Sequence, residues 1–367
     1  IETNSNIQPY SYRKVNPEYM AHIANAKKIF STFAENPKSW SNIQQNQLAY
    51  PVSTDSASYR ATVVTPIEIY KVDPSIKNLT SGGFGKISLL KVHYKIKGSD
   101  KMVSRQIIIK EERSDDTNDT KDSESGDHSK EVSHRMQNEH LVLNHFQLKK
   151  STSPYIAKFF HASRDNKQKV GLNRKGILME FYPHKSLEHF RTKNDTISVN
   201  TKLWFLTQMA NGIRYMKQEG VYHLDLKNSN ILIQKNYSLK LIDFGESYIK
   251  SVDPALGVDS SKYIKSFKPG RTMPFAAPEL LTKPFDVLNL HDKTDVFSFG
   301  MIMGEMLFEN FLVDFKKSNL SALCQKYREK NYQTRFSQES AEAMGPKKIF
   351  KYLRILTILC LDSEPER

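Results

Sequence analysis

The spacing of apolar residues along the chain changes in blocks, and each block predicts a different kind of element. In the first block Met20, Ile23, Phe30 and Phe33 fall on one helical face. Asn16, Pro17 and Glu18 supply a cap, a first helical position and a first-turn acid, and Asn36-Pro37 closes the run. Residues 1–70 are therefore expected to form an N-terminal extension with one amphipathic helix, whose stripe must be buried against something. From Ile67 to Lys110 the pattern shortens to β-type runs, with Lys86–Val92 one strand and Arg105–Lys110 another across a polar turn. The stretch 111–131 carries Asp115, Asp116, Asp119, Asp122 and Asp127 with almost nothing apolar, and is expected to be a disordered acidic insertion. Helical spacing resumes at Glu139, Leu143 and Phe146. Beyond Pro183 the pattern is mainly helical, interrupted by strand-like Ile231–Ile233 and Leu239–Ile242. No internal repeat is present.

Composition narrows the class. A chain of 367 residues, 38% apolar and 26% charged, is too long for one small core and suits two lobes with additions. No run nears the roughly 18 apolar residues needed to span a bilayer, and the polar start at Ile1 to Pro17 has no signal-peptide core. Cys324 and Cys360 are too few for a disulfide framework, so a reducing compartment, cytoplasmic or nuclear, is expected. A net charge of +14 favours acidic partners, but the lysines are spread along the chain and no dedicated nucleic-acid site is expected.

Candidate chemistry lies in four places. Leu79-Thr80-Ser81-Gly82-Gly83-Phe84-Gly85-Lys86-Ile87 sits between two strands, where glycines let backbone N–H groups approach an anion. Alone, such a Gly-rich hairpin is more often just a turn. Ile107-Ile108-Ile109-Lys110 is a strand ending in a lysine, which alone reads as a solvated rim residue. His223-Leu224-Asp225-Leu226-Lys227-Asn228-Ser229-Asn230, followed after a hairpin by Asp243-Phe244-Gly245, is far more specific. Two carboxylates and an Asn offer hard oxygen ligands for Mg²⁺, and an Asp and a Lys two apart offer a proton acceptor and a cation. The fourth is Ala277-Pro278-Glu279, then Asp295-Val296-Phe297-Ser298-Phe299-Gly300 and Cys360-Leu361 leading to Arg367.

Taken together these motifs resemble the eukaryotic protein kinases, serine/threonine type, over about residues 70–367 and in the family's order. The resemblance implies an α+β bilobal fold: residues 71–182 as an antiparallel β-sheet N-lobe and hinge, and 183–367 as a mainly helical C-lobe. It implies ATP and Mg²⁺ as cofactors and a protein as acceptor. Asp225 matches the catalytic base and Lys227 the γ-phosphate lysine; Asn230 and Asp243 match the metal ligands. Lys110 matches the lysine on the α- and β-phosphates and Glu139 its helix partner. Gly82, Gly83, Gly85, Ile87, Met179, Glu180, Tyr182 and Leu232 complete the implied ATP site, with Met179 as gatekeeper and the backbone of Glu180 and Tyr182 toward adenine. Glu279 and Arg367 match a buried ion pair, and Asp295 the aspartate that holds the catalytic-loop backbone.

Three positions depart from the family's pattern. Thr80 stands at the first glycine of the phosphate loop, Ile108 at a small residue above adenine, and Leu224 at the arginine before the catalytic aspartate. None removes a group that moves the phosphoryl. The rival class is a pseudokinase scaffold or allosteric partner; intact Lys110, Asp225, Asn230 and Asp243 argue against it. Elsewhere plainer readings prevail. His223 is expected to pack in the core with Phe244 and Leu143; His184 and His189 lack an acidic partner at metal spacing; the cysteines are expected to be inert thiols. The Lys/Asn/Ser-rich style fits a protist with an AT-rich genome, while oligomeric state has no signature in the sequence.

Overall fold

The computed structural model describes residues 64–73, 77–82, 85–111, 125–149, 153–162, 176–183, 186–193, 197–234, 236–267, 270, 272–281, 287, 290, 293–307, 356–357 and 360–361. The helix expected near residues 17–36 lies outside them, as do Gly83, His184, Cys324 and Arg367.

The N-terminal lobe is built on β-strands whose side chains alternate between two different cores. Strands β1 (Val64–Val72), β2 (Lys77–Gly82), β3 (Gly85–Ile96), β4 (Met102–Glu111), β5 (Phe159–Ala162) and β6 (Gly176–Glu180) pair in the order β1-β5-β6-β4-β3-β2. β1 also pairs antiparallel with the far half of β3, so the sheet curls until it closes on itself. Ile67, Leu90, Val92, Tyr94, Ile107, Ile109, Phe160 and Leu178 point into the curl and form its own apolar core. Residues of opposite parity, Ile108, Phe159, Ile177 and Met179, face the other way into the main core of the molecule. The alternation along Ile107-Ile108-Ile109-Lys110 thus aims Lys110 at the cleft while its neighbours anchor the strand.

Both expected strands are present but longer. β3 and β4 pair over their whole length, from Lys86 opposite Glu111 to Lys95 opposite Met102. The expected boundary of the extension at residue 70 is corrected, because it falls inside β1. Tyr70 belongs to a strand that pairs antiparallel with β3 and, over Val64–Ile67, parallel with β5. That parallel pairing joins the otherwise antiparallel sheet expected for this lobe. The acidic insertion is corrected at both ends. Glu111 closes β4, and a 24-residue helix α1 (Ser125–Leu148) begins well before residue 131. Its first two turns, Ser125 to Glu131, hold no large apolar residue, so they carry no stripe for a periodicity argument to find.

The C-terminal lobe is helical around a short β-hairpin. After α2 (Leu187–Lys193), helix α3 (Val199–Gln218) starts at Ser198, whose Oγ accepts from Thr201 N at 3.2 Å. Strand β7 (Val221–Tyr222) precedes a single 3₁₀ turn at Asn228–Asn230, then β8 (Ile231–Ile233) and β9 (Leu239–Leu241) form the hairpin. β10 (Tyr248–Ile249) pairs with β7; α4 (Ser260–Ser266), α5 (Pro278–Leu281) and α6 (Thr294–Leu307) follow. α6 buries twelve of its fourteen residues, so it is a central support rather than a surface helix.

Behind the segment that joins the lobes, β9 buries a lysine. Lys240 is 8% exposed and its ammonium donates to the Pro154 carbonyl. Burial, only partly offset by Glu180, pulls its pKa down to about 8 from 10.5. Between those values the unfolded chain binds a proton that the folded chain does not. The penalty on folding is therefore full below pH 8 and disappears above about 10.5. Relative to Lys240→Met, the wild-type chain should gain up to roughly 3 kcal/mol of stability as pH rises through this window, read from urea melts. Parallel pH curves for the two proteins would show that the ammonium is not desolvated.

Candidate active site

The site lies where the curled sheet, helix α1 and the β8–β9 hairpin meet. Lys110, at the cleft-facing end of β4, is 2.7 Å from Glu139 Oε2 on α1 and 2.8 Å from Asp243 Oδ1 beyond β9. Three separate elements thus converge on one ammonium. Burial opposes the charge on Lys110, but the two carboxylates outweigh it and hold its pKa above the ordinary lysine value. Asp243, desolvated too, is held below the usual carboxylate range chiefly by Lys110, while burial pushes Glu139 up. Glu139 Oε1 also accepts from Phe244 N at 3.3 Å, which ties α1 to the residue after Asp243.

A second polar group stands across the cleft. Lys227 Nζ lies 2.7 Å from Asp225 Oδ2 and donates to Thr272 Oγ1 at 2.9 Å, and that hydroxyl donates to Asp225 Oδ1 at 2.6 Å. Asn230 Nδ2 donates to Asp225 O at 2.9 Å and to Asp225 Oδ2 at 3.0 Å. With its nitrogen so engaged, Asn230 keeps its amide oxygen for another ligand. One amide oxygen and the Asp243 carboxylate are a hard donor set that suits Mg²⁺, which takes few protein ligands and fills its sphere with water and phosphate oxygens. Among the described residues no group of three His, Cys, Asp or Glu side chains forms a metal cage of its own. Lys110, Arg135, Met136, Asp225, Asp243, Gly245 and Glu246 line the cleft.

The loop carrying Asp225 is held by a buried carboxylate beneath it. Asp295, at the start of α6, accepts from His223 N at 2.7 Å and Leu224 N at 2.8 Å. Leu224 and Asp243 adopt left-handed backbone angles, φ 63° and 67°, which cost energy for residues with a side chain and need such bonds to persist. The Leu224 side chain is buried in the main core. His223 is fully buried, its ring 5.1 Å from that of Phe244, and its Nε2 donates to the Ile242 carbonyl at 3.0 Å. Phe244 packs on Phe146 and Phe159, with Leu143 in the same cluster, so an apolar column runs from α1 into the lower lobe.

The apolar half of the cleft is formed by residues from both lobes. Ile108 and Met179 lie opposite each other in the β4–β6 register, with Ile87 and Leu232 packed against the same core. The Glu180 amide donates to Lys158 O and its carboxylate lies 3.5 Å from Arg105. The buried Tyr182 hydroxyl accepts from Lys158 N at 3.0 Å. Both side chains are thus engaged by neighbours on β4 and just before β5. Gly82 and Gly85 face each other across the β2–β3 turn. Glu279 accepts from Thr294 Oγ1 at 2.6 Å. Sequence reasoning missed Arg135, Asn138 and Glu246, which line or bound the cleft. The signal was there: Arg135, Asn138 and Glu139 share one helical face by their spacing, and Glu246 directly follows Asp243-Phe244-Gly245.

Residues 76–367 match the family model for the protein kinase domain. The chain is 31% identical over 157 residues to wall-associated receptor kinase-like 14 of Arabidopsis thaliana, covering 40% of this chain and 20% of that one. It is 33% identical over 131 residues to the mitogen-activated protein kinase kinase kinase dlk-1 of Caenorhabditis elegans, covering 36% and 13%. With the probable serine/threonine-protein kinase CST of Arabidopsis thaliana it shares 27% over 205 residues, covering 52% and 45%. The chain therefore spans less than half the length of these relatives.

Asp295 provides a test of how the loop is held. Asp295→Ala would leave two buried N–H groups without an acceptor, each costing about 1–3 kcal/mol, and would release the strain at Leu224. A loss of roughly 2–5 kcal/mol in urea denaturation is expected, and an unchanged midpoint would contradict the assigned support.

Proposed function

From the premise that this chain belongs to the eukaryotic protein kinase superfamily, we propose that it transfers the γ-phosphoryl group of Mg-ATP to a serine or threonine hydroxyl of a protein. The observation that carries the reading is Lys110 held between Glu139 and Asp243, opposite an intact Asp225–Lys227–Thr272 group. Lys110 would hold the α- and β-phosphates, and Glu139 would keep its ammonium in place. Asp225 would accept the proton of the attacking hydroxyl, and Lys227 would face the charge that builds on the moving phosphoryl. Bound through Asn230 and Asp243, Mg²⁺ would neutralise phosphate charge. Positioning and charge complementarity supply most of such a rate enhancement. Gly82, Gly83 and Gly85 would cover the phosphates; Ile87, Ile108, Met179 and Leu232 would sandwich the base, and the backbone of Glu180 and Tyr182 would read its edge.

The Ser/Thr assignment is supported by the Lys227–Thr272–Asp225 hydrogen bonds, which hold Lys227 against Asp225. It is supported also by relatives whose names describe serine/threonine kinases. The pseudokinase alternative finds no missing group among these contacts. No helix among the described residues is long and apolar enough to cross a membrane. A cytoplasmic or nuclear, reducing location is part of the same proposal.

Two results test it. With labelled Mg-ATP and a generic protein acceptor, wild-type protein should label serine or threonine. Lys110→Ala and Asp243→Asn should each cut turnover at least about a hundredfold, roughly 2.7 kcal/mol of transition-state stabilisation; near-wild-type rates in either would reject the assignment. The enzyme should also work without a phosphorylated activation segment. Where other family members present an arginine to dock such a phosphate, this chain has the buried Leu224. Phosphatase-treated protein should keep most of its initial rate, and a lag abolished by preincubation with ATP would contradict that.

A further inference from the structure

Glu246 is a buried carboxylate that phosphoryl transfer does not use, and it stands between the two parts of the site that have to stay together. Its Oε1 is 2.5 Å from Arg135 Nε on α1, an ion pair rather than an aligned hydrogen bond. Its Oε2 accepts from the Gly270 main-chain N–H, far along the segment between Asp243 and Glu279. A Cβ at residue 270 would lie 2.5–2.8 Å from that carboxylate, so a glycine is what allows the backbone this close. The main chain on either side of Glu246 is stitched to the same helix. Asn138 Nδ2 donates to Gly245 O at 2.9 Å and to Ser247 O at 2.7 Å. Tyr263 on α4 adds a bond from its hydroxyl to Asn138 Oδ1 at 3.4 Å, and its ring stacks on Tyr248 at 5.7 Å.

Arg135, Asn138 and Glu139 therefore form one face of α1, and all three reach residues 244–247. Glu139 is the residue that must stay on Lys110. One turn before it, the helix is fixed by Arg135 to a carboxylate that also grips the far limb of the segment.

We propose that Glu246 is a built-in tether: a positioning residue that joins Arg135 on α1 to Gly270 in the activation segment, and so keeps Glu139 on Lys110 without any covalent modification. The proposal rests on the kinase reading for its effect on turnover, but not for the tether itself. A carboxylate brings its acidic group with no modification step, and the Arg135 charge and the Gly270 N–H counter the burial that pushes its pKa up. It accounts for how the segment is held when Leu224 replaces the arginine that would dock a phosphate.

The test uses the full chain as Arg135→Met, Glu246→Gln, their double variant and Gly270→Ala. The last leaves every charge in place and pushes the carboxylate off the backbone, so it separates the tether from the loss of a folded core. Amide hydrogen exchange is read across α1 and residues 244–249 without nucleotide, and kcat and the KM for ATP are read separately. The tether predicts faster exchange in α1 in every variant and a fall in kcat on the order of tenfold. It also predicts a double variant no worse than the poorer single, because the two side chains act as one unit. Unchanged protection of α1, or losses that simply add, would overturn it. If the wild-type chain transferred no phosphoryl while exchange in α1 still responded, the kinase reading would fail and the tether would stand.

Discussion

The arrangement depends on one ammonium, Lys110, held between two carboxylates from different parts of the chain. β4 delivers it, α1 supplies Glu139 and the turn after β9 supplies Asp243. A buried lysine without such partners would lose its proton, and a buried carboxylate pair without the lysine would repel. Lys110 keeps its charge because both carboxylates face it, and Asp243 is held charged chiefly by Lys110. At Glu139 the ammonium offsets part of the opposition from burial and the Asp243 charge. The contact therefore fixes the sheet, the helix and the hairpin relative to one another, and any shift of one element releases the others.

The surrounding structure holds strained backbone in place for that contact. Asp243 and Leu224 lie in the left-handed region, and both are followed by residues that enter the core or the cleft. Asp295 secures one loop from below through two backbone N–H groups; Lys110 and the bond from Phe244 N to Glu139 secure the other from above. Strain of this kind persists only where neighbours over-determine it. The apolar column of Phe146, Phe159, Phe244 and His223 does so by leaving the loops no room to relax.

Much of this was legible in the chain. The alternation of Ile107, Ile108 and Ile109 gives the two faces of β4 and hence the direction of Lys110, and the spacing of His223 to Asp243 gives a loop and hairpin. The polar first two turns of α1 were not legible, because a helical stretch without an apolar stripe looks the same as a solvated insertion. Nor was the place of Tyr70 in a strand, since β1 gains its partners β3 and β5 from distant parts of the chain. Glu246 was hidden for another reason. A single carboxylate after a glycine acquires meaning only when Arg135, more than a hundred residues earlier, is folded onto it.

On the proposed reading, these carboxylates form a nucleotide site that requires a cation. Asp243 and Asp225 would face the phosphates, and without Mg²⁺ their charges oppose ATP. Calorimetric titration of ATP into the full chain, with Mg²⁺ and then with a chelator, tests this directly. Binding at least about tenfold tighter with Mg²⁺, or 1.4 kcal/mol, is expected, with that difference lost in Asp243→Asn. Equal affinity with and without Mg²⁺, or no binding in either condition, would contradict it.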